Sequence, residues 1–332
     1  MSNDAHTFRR QLGRSGVEVS ALGLGCWAIG GPFTAFGRPD GWGAIDDEQS
    51  VRALHRALDL GVTFFDTADA YGTGHSERIL GRALAGRRDR AVIATKFGFT
   101  YDEERRDLTG TDPSPAYVRR ACEASLARLG TDHIDLYQLH IGELPAERAL
   151  AVRAELEDLV TAGLIRAYGW STDDVPSAEL FAAGPHCAAI QHGLNVFDDA
   201  PGMLAACERL GLASVNRSPL AMGLLTGKFT AQSQLPADDV RGARWEWLGW
   251  FVDGRPSPEL LAKLDGVREI LTGDGRTLTQ GALAWIWARS EQTIPIPGFK
   301  NLAQVEENAG SLAFGPLKPA QVAEIDMLLD RG

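Results

Sequence analysis

The 332-residue chain is 44% hydrophobic and 23% charged, enough apolar material for a large core, and a single α/β domain over 1–332 is the simplest expectation. A formal net charge of −11 opposes the electrostatics that nucleic acid or an anionic membrane surface requires, which excludes polyanionic partners. Cys26, Cys122, Cys187 and Cys207 lack C-x-x-C spacing and are expected as reduced, buried thiols; with no signal core and no apolar run of roughly 18 residues, the protein is expected to be soluble and cytoplasmic.

Behind a polar leader, FRRQLGRSGVEVS reads as two short strands about a Gly-Arg-Ser-Gly turn, predicting an N-terminal hairpin over 7–20. An alternation follows. Apolar, β-branched or glycine-bounded strands are predicted at 21–27, 62–68, 91–97, 133–140, 165–171, 187–193, 212–218 and 292–298. Between them apolar residues recur at helical spacing. In EQSVRALHRALDLG, Val51, Leu54, Ala57 and Leu58 share a face and Gly61 supplies a C-cap. SERILGRALAG, SPAYVRRACEASLARLG and AERALAVRAELEDLVTAG repeat the pattern. Eight strands separated by helices predict a parallel sheet, and eight is the number that closes into a (β/α)8 TIM barrel. The rival is a doubly wound open sheet. No G-x-G-x-x-G follows the first strand, however; GLGCWAIGG leads into a loop holding Pro32, Phe33 and Pro39.

After the seventh strand comes a long connection over 218–257, with Asp238, Asp239 and the tryptophans Trp245, Trp247 and Trp250. Its length and aromatic content predict a lid over the strand ends. Trp285 and Trp287 lie in a helical run and are expected in packing. Further helices are predicted from Asn301 and over 316–330.

In a barrel the C-terminal ends of all eight strands meet at one mouth, so polar residues there are the catalytic candidates. They are Asp66 after the second strand, Tyr71 in the loop beyond it, Lys96 ending the third strand and His140 ending the fourth. Each has an ordinary structural role open to it: turn cap, loop packing, snorkelling lysine, core histidine. Together they form a device. A phenol is a poor acid near neutrality; a neighbouring ammonium favours its phenolate and itself needs a carboxylate nearby. Lys96 is therefore expected to lower the Tyr71 pKa, with Asp66 as counter-charge. His140 is expected to donate a hydrogen bond to a carbonyl oxygen beside the Tyr71 hydroxyl.

Ordered stretches along nearly the whole chain resemble the aldo-keto reductase superfamily: LGLGCW, FFDTADAYGTGHSERILGRAL, VIATKFG, IDLYQLH, GLIRAYGWST, AIQHGLN, SPLAMGLLTGKF and IPIPGFKNLAQVEEN. The resemblance implies NADP(H)-dependent reduction of an aldehyde, ketone or sugar carbonyl at the mouth of a barrel, with NAD(H) as the alternative cofactor. It places the catalytic tetrad on Asp66, Tyr71, Lys96 and His140. It also implies Ser171, Thr172 and Gln191 at the nicotinamide carboxamide, Arg217 at the nicotinamide ring, and Ser218, Pro219, Leu220, Gly223 and Lys228 at the pyrophosphate. Gly298, Phe299, Lys300, Gln304, Glu307 and Asn308 fall at the adenosine half.

Three positions depart from the family pattern. Thr172 stands where many members have asparagine, and Arg217 where many have a stacking tyrosine. Gly298, Phe299 and Gln304 replace the Lys-Ser pair and later Arg that grip a 2′-phosphate, leaving Lys300 as the main contact. For the small-molecule carbonyl substrate, Trp27 matches the family's pocket tryptophan, and Phe33, Trp42, Trp170 and the lid tryptophans are expected to wall a pocket suited to apolar carbonyls or sugar faces. Two other classes compete. A nucleotide-sensing regulatory module, like the barrel β subunits of potassium channels in the same superfamily, keeps such a tetrad. A metal-dependent hydrolase using His140 and Glu143 would need a His-x-His or similar cluster at the strand ends, which the sequence lacks, so no metal is expected.

Overall fold

A computed structural model describes residues 8–331, and among them eight parallel strands run in chain order, each hydrogen-bonded to the next. They are β1 (Gly23–Gly25), β2 (Phe64–Asp66), β3 (Val92–Phe97), β4 (Ile134–Leu139), β5 (Ile165–Ser171), β6 (Cys187–Gly193), β7 (Ala213–Arg217) and β8 (Thr293–Pro295). At the seam between β8 and β1, the Gly25 N–H donates to the Pro297 carbonyl at 3.0 Å. A Cβ on Gly25 would lie 2.8 Å from the Ile296 carbonyl oxygen, so this close approach needs glycine. Pro295 and Pro297 have no N–H to offer, and β8 is shorter than the predicted 292–298.

The helices form where capping chemistry and apolar spacing agree. In α1 (Asp47–Asp59), Asp46 caps the Gln49 N–H at 3.0 Å, and Ala53, Leu54, Ala57 and Leu58 are buried. Gly61, at φ +85°, turns the chain into β2. The outer ring continues through α2 (His75–Leu84), α3 (Pro115–Leu129), α4 (Ala146–Thr161), α5 (Val175–Ala182) and α6 (Pro201–Leu210). Beyond the lid come α7 (Pro258–Thr272) and α8 (Leu278–Arg289), then α9 (Leu302–Gly310) and α10 (Pro319–Leu328). Helix α8 is apolar all round, with Trp285 and Trp287 buried, because α7 and α10 pack against it outside the barrel.

Inside the barrel, Phe64, Ala94, Leu136, Ala167, Val215 and Ile294 form one apolar cluster. The hairpin of Arg9–Gln11 with Glu18–Ser20 closes the bottom and pushes Leu12 and Val19 into that cluster. Arg14 pins it by donating to the carbonyls of Ala182, Gly184 and Cys187. All four cysteines are free and buried, and among the described residues no helix is long and apolar enough to cross a membrane.

At the mouth the loop expected around Pro32, Phe33 and Pro39 contains two short strands, Thr34–Ala35 and Arg38–Pro39. They join Phe99–Asp102 and Asp107–Thr111 in a four-stranded sheet. Strands of two residues carry no readable period, which is why the sequence alone does not disclose them. The 218–257 lid holds 3-10 turns at Ala221–Thr226 and Val240–Gly242 and a hairpin of Phe251–Val252 with Arg255–Pro256.

Candidate active site

Strand register builds the mouth. Lys96 lies opposite Gln138 across β3 and β4, and Ser171 opposite Gln191 across β5 and β6. Side chains alternate in facing, so the polar ring sits two residues beyond the apolar filling: Lys96 after Ala94, Gln138 after Leu136, Gln191 after Ala189. Lys96 is fully buried and directs its ammonium to Asp66 Oδ1 at 2.5 Å, the Thr67 carbonyl at 2.9 Å and the Tyr71 hydroxyl at 3.2 Å. Asp66 Oδ2 accepts from Gln138 Nε2 at 3.0 Å and Gln191 Nε2 at 2.8 Å. The buried carboxylate is thus bonded through both oxygens. Gln138 is not among the residues singled out from the sequence; its two-residue spacing from His140 is the signal that finds it.

The electrostatics correct one expectation. Burial opposes the Lys96 ammonium, but Asp66 and then Tyr71 outweigh it, and the lysine pKa is raised. For Tyr71, burial is the largest influence and Lys96 does not overcome it, so the phenol lies above its ordinary value instead of below it. Asp66 offsets much of the ammonium charge, which leaves desolvation to decide. His140 is pushed well below the usual histidine range by burial, then by Lys96 and Arg217, so its ring is neutral. That ring stands edge-on to Tyr71 at 5.7 Å and to Phe99 at 5.1 Å, and its Nδ1 has no partner among the described residues.

Above these groups opens a cavity of about 770 Å³. Tyr71 and His140 line it; Lys96 sits behind them. Every cofactor position implied by the resemblance also lines it except Thr172, whose hydroxyl accepts from the Asp174 N–H at 3.1 Å just ahead of α5. Trp27, Phe33 and Trp42 wall the cavity, joined by Trp245, Trp247 and Trp250 of the lid. Trp170 does not reach it. Between the inward-facing Gly169 and Ser171 it points outward, packs on Phe181 at 4.6 Å and donates to the Ile141 carbonyl at 2.7 Å.

Opposite the tetrad the lid folds over the cavity. Ser218, Ala221 and Met222 hold positive φ, a conformation that side chains disfavour and that recurs at ligand sites. Arg217 forms an ion pair with Asp173, whose other oxygen accepts from the Gly193 N–H at 2.8 Å, so its charge is offset. Lys228, Arg241 and Lys300 gather further out. Arg241 lies over Trp42 at 4.6 Å, forks onto Asp239 at 2.8 and 2.6 Å, and donates to the Met222 carbonyl at 3.1 Å. Burial lowers the pKa of Lys228 and of Lys300; Asp239 raises both and Arg241 lowers both, with the balance on the low side. A half-buried group of cations that repel one another is relieved by an anion, and the donor set therefore suits phosphate. The lid is tied to the loop after β1 by Val240 N–H to the Gly41 carbonyl at 2.9 Å and Trp245 Nε1 to the Pro39 carbonyl at 2.9 Å, and Lys300 Nζ bonds the Trp42 carbonyl of that same loop. No local motif announces Arg241 or Asp173. Among the described residues no three His, Cys, Asp or Glu side chains converge on a metal position.

Known proteins are similar to this chain in sequence and fold. A family model described as the aldo/keto reductase family matches residues 21–330. The chain is 33% identical over 327 residues to the aldo-keto reductase yakc of Schizosaccharomyces pombe, whose name includes NADP(+), covering 95% of this chain and 89% of that protein. The solved glycerol dehydrogenase AKR11B4 from Gluconobacter oxydans matches with a TM-score of 0.81 at 30% identity, covering 98% of this chain and 96% of that one. An aldo-keto reductase from Klebsiella pneumoniae in complex with NADPH matches with a TM-score of 0.70 at 26% identity and the same coverage, 98% and 96%. A match running from Ala21 to Asp330 takes in all eight strands, both halves of the cavity and the lid, and the chain therefore belongs to the aldo/keto reductase family.

Proposed function

We propose that the cavity reduces a carbonyl compound with NADPH, and that Tyr71 is the general acid. The observation that carries this reading is the bond from Lys96 Nζ to the Tyr71 oxygen at 3.2 Å. The phenol oxygen accepts there, so its own proton is free to be donated into the cavity. Neutral His140 offers its one ring N–H as a second donor beside it. A carbonyl oxygen held by both is oriented and polarised. Bound NADPH supplies a hydride to the carbonyl carbon. Tyr71 gives its proton to the oxygen, completing the alcohol, and Lys96 meets the negative charge that grows on the phenol. The raised resting pKa keeps Tyr71 protonated until that moment, so the lysine acts on the reacting state.

For the cofactor, Lys228, Arg241 and Lys300 supply positive charge to its phosphates, and Lys300 with the start of α9 receives the 2′-phosphate. Gln191 spends its amide N–H groups on Asp66 and Gln138, leaving Oε1 to accept from the carboxamide. Preference for NADPH is supported by the relatives named for NADP(+) and solved with NADPH. The test is NADPH oxidation over a panel of aldehydes and ketones by the wild type and Tyr71→Phe. Loss of the hydroxyl alone should lower turnover by roughly 10²- to 10⁴-fold, with cofactor affinity from tryptophan fluorescence unchanged. Near-normal reduction by the phenylalanine variant removes Tyr71 from the mechanism.

A further inference from the structure

Asp40 places a carboxylate on the cavity wall that the reduction itself does not use. It follows the short strand Arg38–Pro39 and lines the cavity with Tyr71, His140 and Trp27. Its backbone is fixed from both sides, by its N–H to the Phe33 carbonyl at 3.0 Å and by Trp27 Nε1 to its own carbonyl at 3.0 Å. Trp27 in turn stacks on the Tyr71 ring with centroids 5.9 Å apart, so one indole ties the Asp40 backbone to the phenol ring. Asp40 is half-buried, no hydrogen bond or cation among the described residues engages its carboxylate, desolvation pushes the carboxyl up to about 7, and its charge is felt at the Tyr71 phenol.

Most other charges at this cavity are engaged elsewhere, and Glu307, near Lys228, lies in the phosphate half. Asp66 is bonded by Lys96 and two glutamines, Arg217 by Asp173, and Arg241 by Asp239. Lys300 bonds the Trp42 carbonyl, and Lys228 lies beside Arg241 and Asp239 in the phosphate half. Around Asp40 the walls are the aromatic rings of Trp27, Phe33 and Trp42. A lone carboxylate against aromatic faces lacks a donor, and a substrate that brings one recovers a charge-assisted hydrogen bond.

We propose that Asp40 is a specificity-determining residue: its carboxylate accepts a hydrogen bond from a hydroxyl or ammonium group next to the substrate carbonyl, so that hydroxy- and amino-carbonyl compounds are taken and 2-oxo acids are turned away. This rests on the reductase reading above. The test uses four ketones of one shape, hydroxyacetone, aminoacetone, butanone and pyruvate, with NADPH at about pH 8, where the carboxyl is ionised. In the wild type, kcat/KM for hydroxyacetone or aminoacetone should exceed that for butanone by about tenfold or more, with pyruvate lowest. Asp40→Leu should erase the advantage over butanone and raise pyruvate. Asp40→Asn should keep part of the preference for hydroxyacetone and lose that for aminoacetone. Ratios between substrates cancel any difference in active fraction, so a partly unfolded variant still reports. An unchanged ranking in Asp40→Leu, with reduction continuing, overturns the role of Asp40 and leaves the reductase reading intact. Failure of the wild type to turn over these four and a simple aromatic aldehyde sinks the reductase reading, and this proposal with it.

Discussion

The two ends of this barrel are made from the same strands, two residues apart, on opposite principles. At the bottom Ala94, Leu136 and Ala189 meet Leu12 and Val19 of the hairpin in a wholly apolar cluster. At the mouth the next inward positions are Lys96, Gln138 and Gln191, all buried, around Asp66. Apolar packing stabilises wherever it is placed, whereas a buried ion pair returns little net stability and is strongly destabilising when broken. One end is therefore built for cohesion, and the other keeps desolvated charge where chemistry requires it.

Four experiments bear on that contrast. The largest effect is expected from Lys96→Met, which should lower turnover by roughly 10²- to 10⁴-fold and, by leaving Asp66 buried without its cation, cost about 3–5 kcal/mol in urea unfolding. Adding Asp66→Asn should return much of the stability and none of the turnover. Recovery of both would mean that the mouth, like the bottom, is only packing.

Leu12→Ala at the bottom should cost about 2–5 kcal/mol, with kcat and KM unaltered in the folded enzyme. A shifted KM for NADPH would show that the two ends are coupled.

Acid should act on neutral, buried histidines. His192 on β6 bonds Ser214 Oγ at 2.7 Å, and burial holds its pKa down at about 4. In the unfolded chain it takes a proton near pH 6.5, so the unfolded state gains protons first as pH falls. Its contribution is whole above about pH 6.5 and is lost progressively toward pH 4, on the order of 3 kcal/mol. His140 acts with the same sign. Unfolding free energies measured across that range should flatten in His192→Gln; an unchanged slope places the acid sensitivity elsewhere.

The smallest effect is expected at the cofactor's outer end. Lys300→Ala should weaken NADPH by about tenfold or more in a fluorescence titration, and NADH less, because only NADPH carries the 2′-phosphate. Equal losses would mean that Lys300 serves the loop after β1 through its bond to the Trp42 carbonyl.

Much of this was legible in the order of residues. Strand and helix periods and the turn at Gly61 act over a few neighbours, so eight strands and the helices between them follow from local chemistry. The positions of Asp66, Tyr71, Lys96 and His140 follow too, because a residue at the end of a barrel strand has only one mouth to face. The two-residue strands at the mouth are too short to announce themselves. Trp170 shows how one step of alternation sends a side chain outward instead of into the cavity.

What only the tertiary structure decided are the quantities that depend on surroundings distant in sequence. Gln138 and Gln191 meet on one oxygen of Asp66, Arg241 of the lid lies over Trp42, and Asp173 offsets Arg217. The Tyr71 phenol rises although a lysine touches it, because desolvation is imposed by everything that excludes water from the site, and no short stretch of sequence records that sum.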